Sequence, residues 1–357
     1  MDNTNQRKAL INGEIGLFLR GLIIGKVLTL MVIGGLLWWL LKPNLLSRNS
    51  VNSSNQNLNS LSSSASTFQT VTDVPNASFN YGGSTAWASI RQLVDSQIQS
   101  DRPELQLRYV NPVSGSPGSS SGIRMLLDGK IDFAQSSRPL TDEEQAMAKE
   151  RGFTLEQRQV GMDGVAVVVN PSLNVPGLTV DQLQQIYLGK ITNWNQVGGP
   201  NLAITPLSQR PEDADTVIFP SNSNLKGQAF GSNVQYVYST TEAVRQLSKT
   251  PGSVYYASAR SVLPQCSVKA LPLGSTSSQL IAPYREPLVS PEQCLRQRNQ
   301  LNTQAIKDGS YPLIANLFVI IKQNKGQEQQ IGDAYAKLLL TDEGQRAIEQ
   351  AGFVAVR

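Results

Sequence analysis

Residues 164–170 read GVAVVVN, and residues 316–322, far downstream, read NLFVIIK. Both are near-continuous apolar runs without the alternation of a strand that has one wet face. A strand buried on both faces reads this way. The chain around them alternates short apolar runs with helical patterns, the mark of a mixed α/β architecture. Residues 105–110 (LQLRYV) and 131–134 (IDFA) read as further strands. Helix starts are punctuated clearly. Thr141 with Glu144, and Thr179 with Gln182, form capping-box patterns, and Gly189 supplies a stop after the second. Residues 326–350 read as two helices broken near Thr341. No internal repeat is visible.

Working outward to the N-terminus, residues 22–41 read LIIGKVLTLMVIGGLLWWLL. Such a run spans about 30 Å as a helix, the thickness of a bilayer core. Lys26 can snorkel from one turn inside it, and Trp38 and Trp39 suit the opposite interface. Arg7, Lys8, Arg20 and Lys26 precede or enter the run, whereas only Lys42 and Arg48 closely follow it. The positive-inside rule places residues 1–21 in the cytoplasm and the bulk of the chain outside. An uncleaved anchor is the expectation. A cleaved signal peptide is the alternative, but no A-x-A-like site follows. Residues 47–67 hold nine Ser and five Asn. That composition buries too little apolar surface to fold, so residues 42–75 read as a flexible leash with a reach of about 25 Å.

Beyond the leash the charges nearly cancel, and nothing suggests a nucleic-acid footprint. The chain contains no His and two Cys, Cys266 and Cys294. In an oxidising compartment an even pair favours one disulfide; two buried thiols are the alternative. Without imidazole, Ser-His-Asp and Cys-His catalysis are closed, and zinc lacks its usual ligands. The Glu212, Asp213 and Asp215 cluster reads as a solvated acidic turn. The expectation is a protein that is not an enzyme and needs no cofactor or metal.

Three segments share one design, a strand followed by a Ser/Thr/Gly turn and a helix start. They are 81–85 (YGGST), 114–122 (SGSPGSSSG) and 135–138 (QSSR). The first turn of a helix presents unpaired N–H groups and a positive dipole end. Several such turns meeting in one crevice make an anion pocket of neutral donors. Taken singly, each turn reads as an ordinary cap. Together with Arg138 they read as a site. G-K-[ST] is missing, so this is not a Walker A loop. Tyr187 and Trp194 read as packing residues.

These residues also carry a resemblance. YGGSTAW, then SGSPGSSSGIRMLLDGKIDFAQSSRPLTDEE, DGVAVVVNP and LQQIYLGKITNW are similar to the phosphate-binding proteins of phosphate-specific ABC transporters, within the periplasmic-binding-protein superfamily. The resemblance spans nearly all of residues 76–357. It implies a two-lobed type II periplasmic binding protein with two crossing hinge strands, here preceded by one transmembrane helix. Residues 76–165 and 316–357 would form one lobe, and residues 166–315 the other. It further implies capture of phosphate or a similar oxyanion by a monomeric receptor that docks on an ABC permease at the inner membrane, on its periplasmic side. By position, the ligand-binding residues fall on Ser84, Thr85, Ser119, Ser120, Ser137, Arg138, Arg210, Asp215 and Thr216. The sequence departs from the pattern at 214–216, which read Ala-Asp-Thr where the family carries Ser-Gly-Thr or Gly-Gly-Thr. Asp215 would either pair with Arg210 or Arg138 and weaken anion binding, or accept the proton of hydrogen phosphate. The departure keeps a second reading open, a tethered sensor or envelope interaction module with degenerate ligand binding.

Overall fold

A computed structural model describes residues 66–210, 218–219 and 228–357. The expected anchor at 22–41, most of the leash, and Asp215 and Thr216 lie outside the described residues. Among the described residues no helix is long and apolar enough to cross a membrane.

The elements run β1 (Ala77–Gly83), α1 (85–101), β2 (Leu105–Tyr109), α2 (Ser119–Leu127), β3 (Phe133–Ser136), α3 (Asp142–Glu150) and β4 (Thr154–Val169). They continue with β5 (Leu178–Thr179), α4 (Val180–Tyr187), β6 (Thr205–Ser208), β7 (Gln235–Tyr236), α5 (Thr240–Leu247) and β8 (Ser253–Ser258). After them come α6 (Ala259–Val262), β9 (Lys269–Leu271), β10 (Leu273–Gly274), α7 (Thr303–Lys307), β11 (Ile314–Gln323), α8 (Gln327–Leu339) and α9 (Asp342–Gln350). Both capping boxes form, Thr141 with Glu144 and Thr179 with Gln182. Thr341 caps α9 through a bond from the Gly344 amide.

One nine-stranded sheet runs β2-β1-β3-β11-β4-β8-β6-β7, with β9 also on β4. β4 explains the unbroken apolar run. It pairs antiparallel with β11 from Thr154 to Gly164, then with β8 from Val165 to Val169. Just ahead of β11, the Leu313 carbonyl accepts from the Val165 amide at 2.8 Å. One apolar cluster gathers β4 beyond Val165, α4, β8 and β9. Another gathers β1, α1, β11, α8 and α9. The valines at 165–169 are all at most 1 % exposed, as a strand covered on both faces requires.

The folded region begins before residue 76, which shortens the expected leash. Phe68 is fully buried. The Ser66 Oγ accepts from the Asp342 amide at 3.0 Å, the Phe68 amide donates to Glu343 at 2.8 Å, and Arg102 donates to the Phe68 and Val71 carbonyls. One aromatic side chain and the acidic start of α9 suffice to dock the end of a Ser-rich segment.

Cys266 and Cys294 are joined, with Cα atoms 5.5 Å apart. In the chain-entropy model a loop of this size contributes about 3.6 kcal/mol. Replacing both by Ala is expected to lower unfolding stability by about that amount. Urea titration checks this, and an unchanged midpoint contradicts it.

Candidate functional site

The three Ser/Gly turns meet. β1 ends at Gly83, where φ is +122° and a Cβ would lie 2.1 Å from the Gln135 carbonyl oxygen. A Cβ on Gly122 of α2 would lie 2.3 Å from the Gly83 Cα. Only glycine permits this approach of helix to turn. It brings the hydroxyls into a chain: Ser84 Oγ lies 2.9 Å from Ser137 Oγ, which lies 3.2 Å from Ser119 Oγ. The Ser137 amide donates to Ser119 Oγ at 3.0 Å, and the Ala86 amide to Ser84 Oγ at 3.2 Å. All three serines are buried.

The charges around this chain are arranged unevenly. Arg138, expected to face an anion, points its guanidinium at Glu144, with bonds of 3.0 and 2.6 Å to the two carboxylate oxygens. It also donates to Ser120 Oγ at 2.8 Å and to the Pro139 carbonyl at 2.8 Å. Both partners are nearly buried. Arg138 thus braces α3 against α2, its charge matched by a carboxylate. The second expected cation, Arg210, is exposed and lies over the Tyr236 ring at 5.6 Å.

Thr85 leads outward to an open crevice. Its walls are Thr85 and Ala86 on one side, and Gln209, Thr240, Tyr255, Tyr256, Ala257, Ser258 and Ser261 on the other. A wider mouth continues past Pro117, Tyr238, Ser239 and Gln265. Among the described lining residues none is charged, and hydroxyl groups predominate. Burial pushes the Tyr256 phenol up to about 12, so it stays a neutral donor. Across the mouth the Tyr238 hydroxyl donates to the Gly115 carbonyl at 3.1 Å, tying β7 and α5 to the second Ser/Gly turn.

Beneath the crevice lies Asp163, fully buried on β4 one residue before the strand changes partners. Its Oδ2 accepts from the Ser258 hydroxyl, and its Oδ1 has no hydrogen-bond partner among the described residues. Burial pushes its carboxyl up to about 7, against smaller opposing effects of Ser258, the Gly164 and Arg260 amides and the Arg260 charge.

Sequence reading missed the second wall, although a signal was present. Ser239-Thr-Thr-Glu242 opens α5 with a Ser cap accepting from the Glu242 amide, and β8 ends in Ser258 before α6. Both repeat the strand, serine, helix order of the first wall.

The sequence profile of the PBP superfamily domain matches residues 66–343. The chain belongs to the PBP superfamily. A curated relative of this PBP member, the phosphate-binding protein PstS of Staphylococcus haemolyticus (strain JCSC1435), is 26% identical over 283 residues, covering 76% of this chain and 79% of the relative. Among solved structures, an ABC-type phosphate transport receptor from Vibrio cholerae aligns with a TM-score of 0.55 at 22% identity, over 78% of this chain and all of that one. A Clostridium perfringens chain crystallised with bound phosphate aligns at 0.59 and 19% identity, over 79% of this chain and all of that one. At such identities these two likenesses speak for the mixed α/β periplasmic-binding-protein fold alone.

Proposed function

We propose that this protein captures phosphate outside the cytoplasm and delivers it to an ABC permease, held at the membrane by a helix at 22–41. The observation that carries this reading is the meeting of Ser84, Ser119 and Ser137 at the starts of α1 and α2, beside a crevice walled by uncharged donors. Neutral hydroxyls and amides stabilise a desolvated oxyanion without the cost of burying unmatched charge. The curated relative's phosphate binding supports the same ligand. Two lobes, 76–165 with 316–357 and 166–315, would close on the anion, with Thr85 on the first and Arg210, Asp215 and Thr216 on the second. Ser120 and Arg138 would then brace the pocket rather than cover the ligand. Nothing in this constellation calls for catalysis.

The test is calorimetric titration of the detergent-solubilised full chain with inorganic phosphate. A dissociation constant of about 1 μM or tighter is expected, equivalent to about −8 kcal/mol, with sulfate much weaker. Binding no tighter than millimolar would overturn the reading and favour the degenerate sensor module.

A further inference from the structure

We propose that Arg91 is the positioning residue of the Gly83–Ser84 turn, and a positive charge behind the anion site that no carboxylate among the described residues bonds directly, without touching the anion itself. The inference rests on the phosphate-capture reading and adds a residue to it.

Arg91 lies two turns into α1, facing back beneath its own N-terminus. One Nη donates to the Ser84 carbonyl at 2.9 Å and to Gln135 Oε1 at 3.0 Å. The guanidinium carbon lies 4.0 Å from the Tyr109 ring centroid, and the Tyr109 hydroxyl donates to the Gly83 carbonyl at 3.0 Å. Both carbonyls of the turn are therefore held by donors that belong to one stacked Arg–Tyr pair. The Ser84 amide is held as well, donating to the Gln135 carbonyl at 2.8 Å. A carbonyl swung toward the crevice would repel an oxyanion. Fixing both carbonyls toward the Arg–Tyr pair leaves the positive end of the turn and of α1 toward the crevice.

The brace is itself anchored. Gln135 Nε2 donates to the Tyr335 hydroxyl at 2.8 Å, which donates to Asp95 Oδ1 at 2.7 Å, and the Tyr81 hydroxyl holds Asp95 Oδ2 at 2.5 Å. Asp95 is 4 % exposed; its carboxylate is hydrogen-bonded by the two tyrosines and also feels the Arg91 charge through space. Among the described residues Arg91 forms no direct ion pair, whereas Arg138 is matched bidentately by Glu144. Of these two arginines beside the serine chain, Arg91 is the one that no carboxylate among the described residues bonds directly. A point charge half buried behind a loop is screened less than one at the surface.

Phosphate titrations of the full chain should compare wild type, Arg91→Met, Arg91→Lys and Tyr335→Phe. Arg91→Met is expected to weaken phosphate binding at least about 30-fold and to flatten its salt dependence. Arg91→Lys, which keeps the charge and one donor, should recover most of the affinity. Tyr335→Phe, which loosens the anchor but spares the guanidinium, should lower thermal stability and shift affinity less than about fivefold. Binding by Arg91→Met within twofold of wild type, or Arg91→Lys no better than Arg91→Met, overturns the proposal. Amide hydrogen exchange at Ser84 and Ala86 in the phosphate-free chain gives a readout independent of the ligand. Exchange at least tenfold faster in Arg91→Met supports the positioning role, and unchanged exchange overturns it. Failure of phosphate capture itself shows instead as a wild type that does not bind.

Discussion

Glu144→Gln is expected to cost about 3–5 kcal/mol of unfolding stability, because it leaves the Arg138 guanidinium buried without its counter-charge. The geometry supports the large figure. The carboxylate accepts two bonds from Arg138, at 2.6 and 3.0 Å, and a third from the Thr141 amide at 2.9 Å. The side chains are only 7% and 10% exposed. Gln can keep the cap with one oxygen but cannot balance the charge. Removing both charges together is a different matter, since a well-packed apolar pair can replace a buried ion pair at little or no cost. Arg138→Met combined with Glu144→Leu should therefore recover much of the loss, less the roughly 1 kcal/mol of the capping box. Urea unfolding of Arg138→Met, Glu144→Leu and the double closes the cycle. A double variant as unstable as the sum of the singles would show that the pair is not the source of the loss.

Sequence reading reached the frame of this protein because the frame is written in local chemistry. The Thr141–Glu144 and Thr179–Gln182 boxes lie three residues apart, and local spacing is all that a cap needs. The valine run at 165–169 announces burial on both faces, and Val165, Val167, Val168 and Val169 are indeed at most 1 % exposed. The serine turns could be placed at helix starts, but their meeting depends on Gly122 lying against Gly83, a contact between residues 39 positions apart that spacing does not reveal. Arg138 shows the same limit. Its role turns on which carboxylate it finds, and Glu144 reads in the sequence as a cap, not as a counter-ion. The second wall went unread for a further reason. Thr240 lies on α5 and Tyr256 and Ser258 on β8, and only the pairing of β8 with β4 and β6 sets them opposite Thr85.

Asp163→Asn is expected to change how stability responds to pH. The carboxyl is 0% exposed, and its folded value near 7 stands against about 3.9 for an unfolded Asp. A group whose folded value is raised binds more protons when folded. Its stabilisation is full below the unfolded value and is lost as pH rises through about 7. A gap of this size corresponds to about 4 kcal/mol, spread between pH 4 and pH 8. The groups facing Asp163 account for the size. Ser258 and the Gly164 and Arg260 amides favour the ionised form, the Arg260 charge adds to them, and Tyr311 donates its hydroxyl to the Val165 carbonyl instead. These do not replace the water lost on burial, and one carboxylate oxygen is left without a donor among the described residues. Asn carries no charge to desolvate, so the variant should match wild type near pH 4 and exceed it by about 4 kcal/mol at pH 8. Urea midpoints at the two pH values read the difference, with other titrating groups cancelling between the chains. Parallel pH profiles for wild type and variant would mean that Asp163 is ionised without penalty. The same substitution acts on the crevice. An ionised Asp163 compels the Ser258 hydroxyl to donate inward, whereas a protonated one can donate to Ser258 and release that hydroxyl toward the crevice it lines.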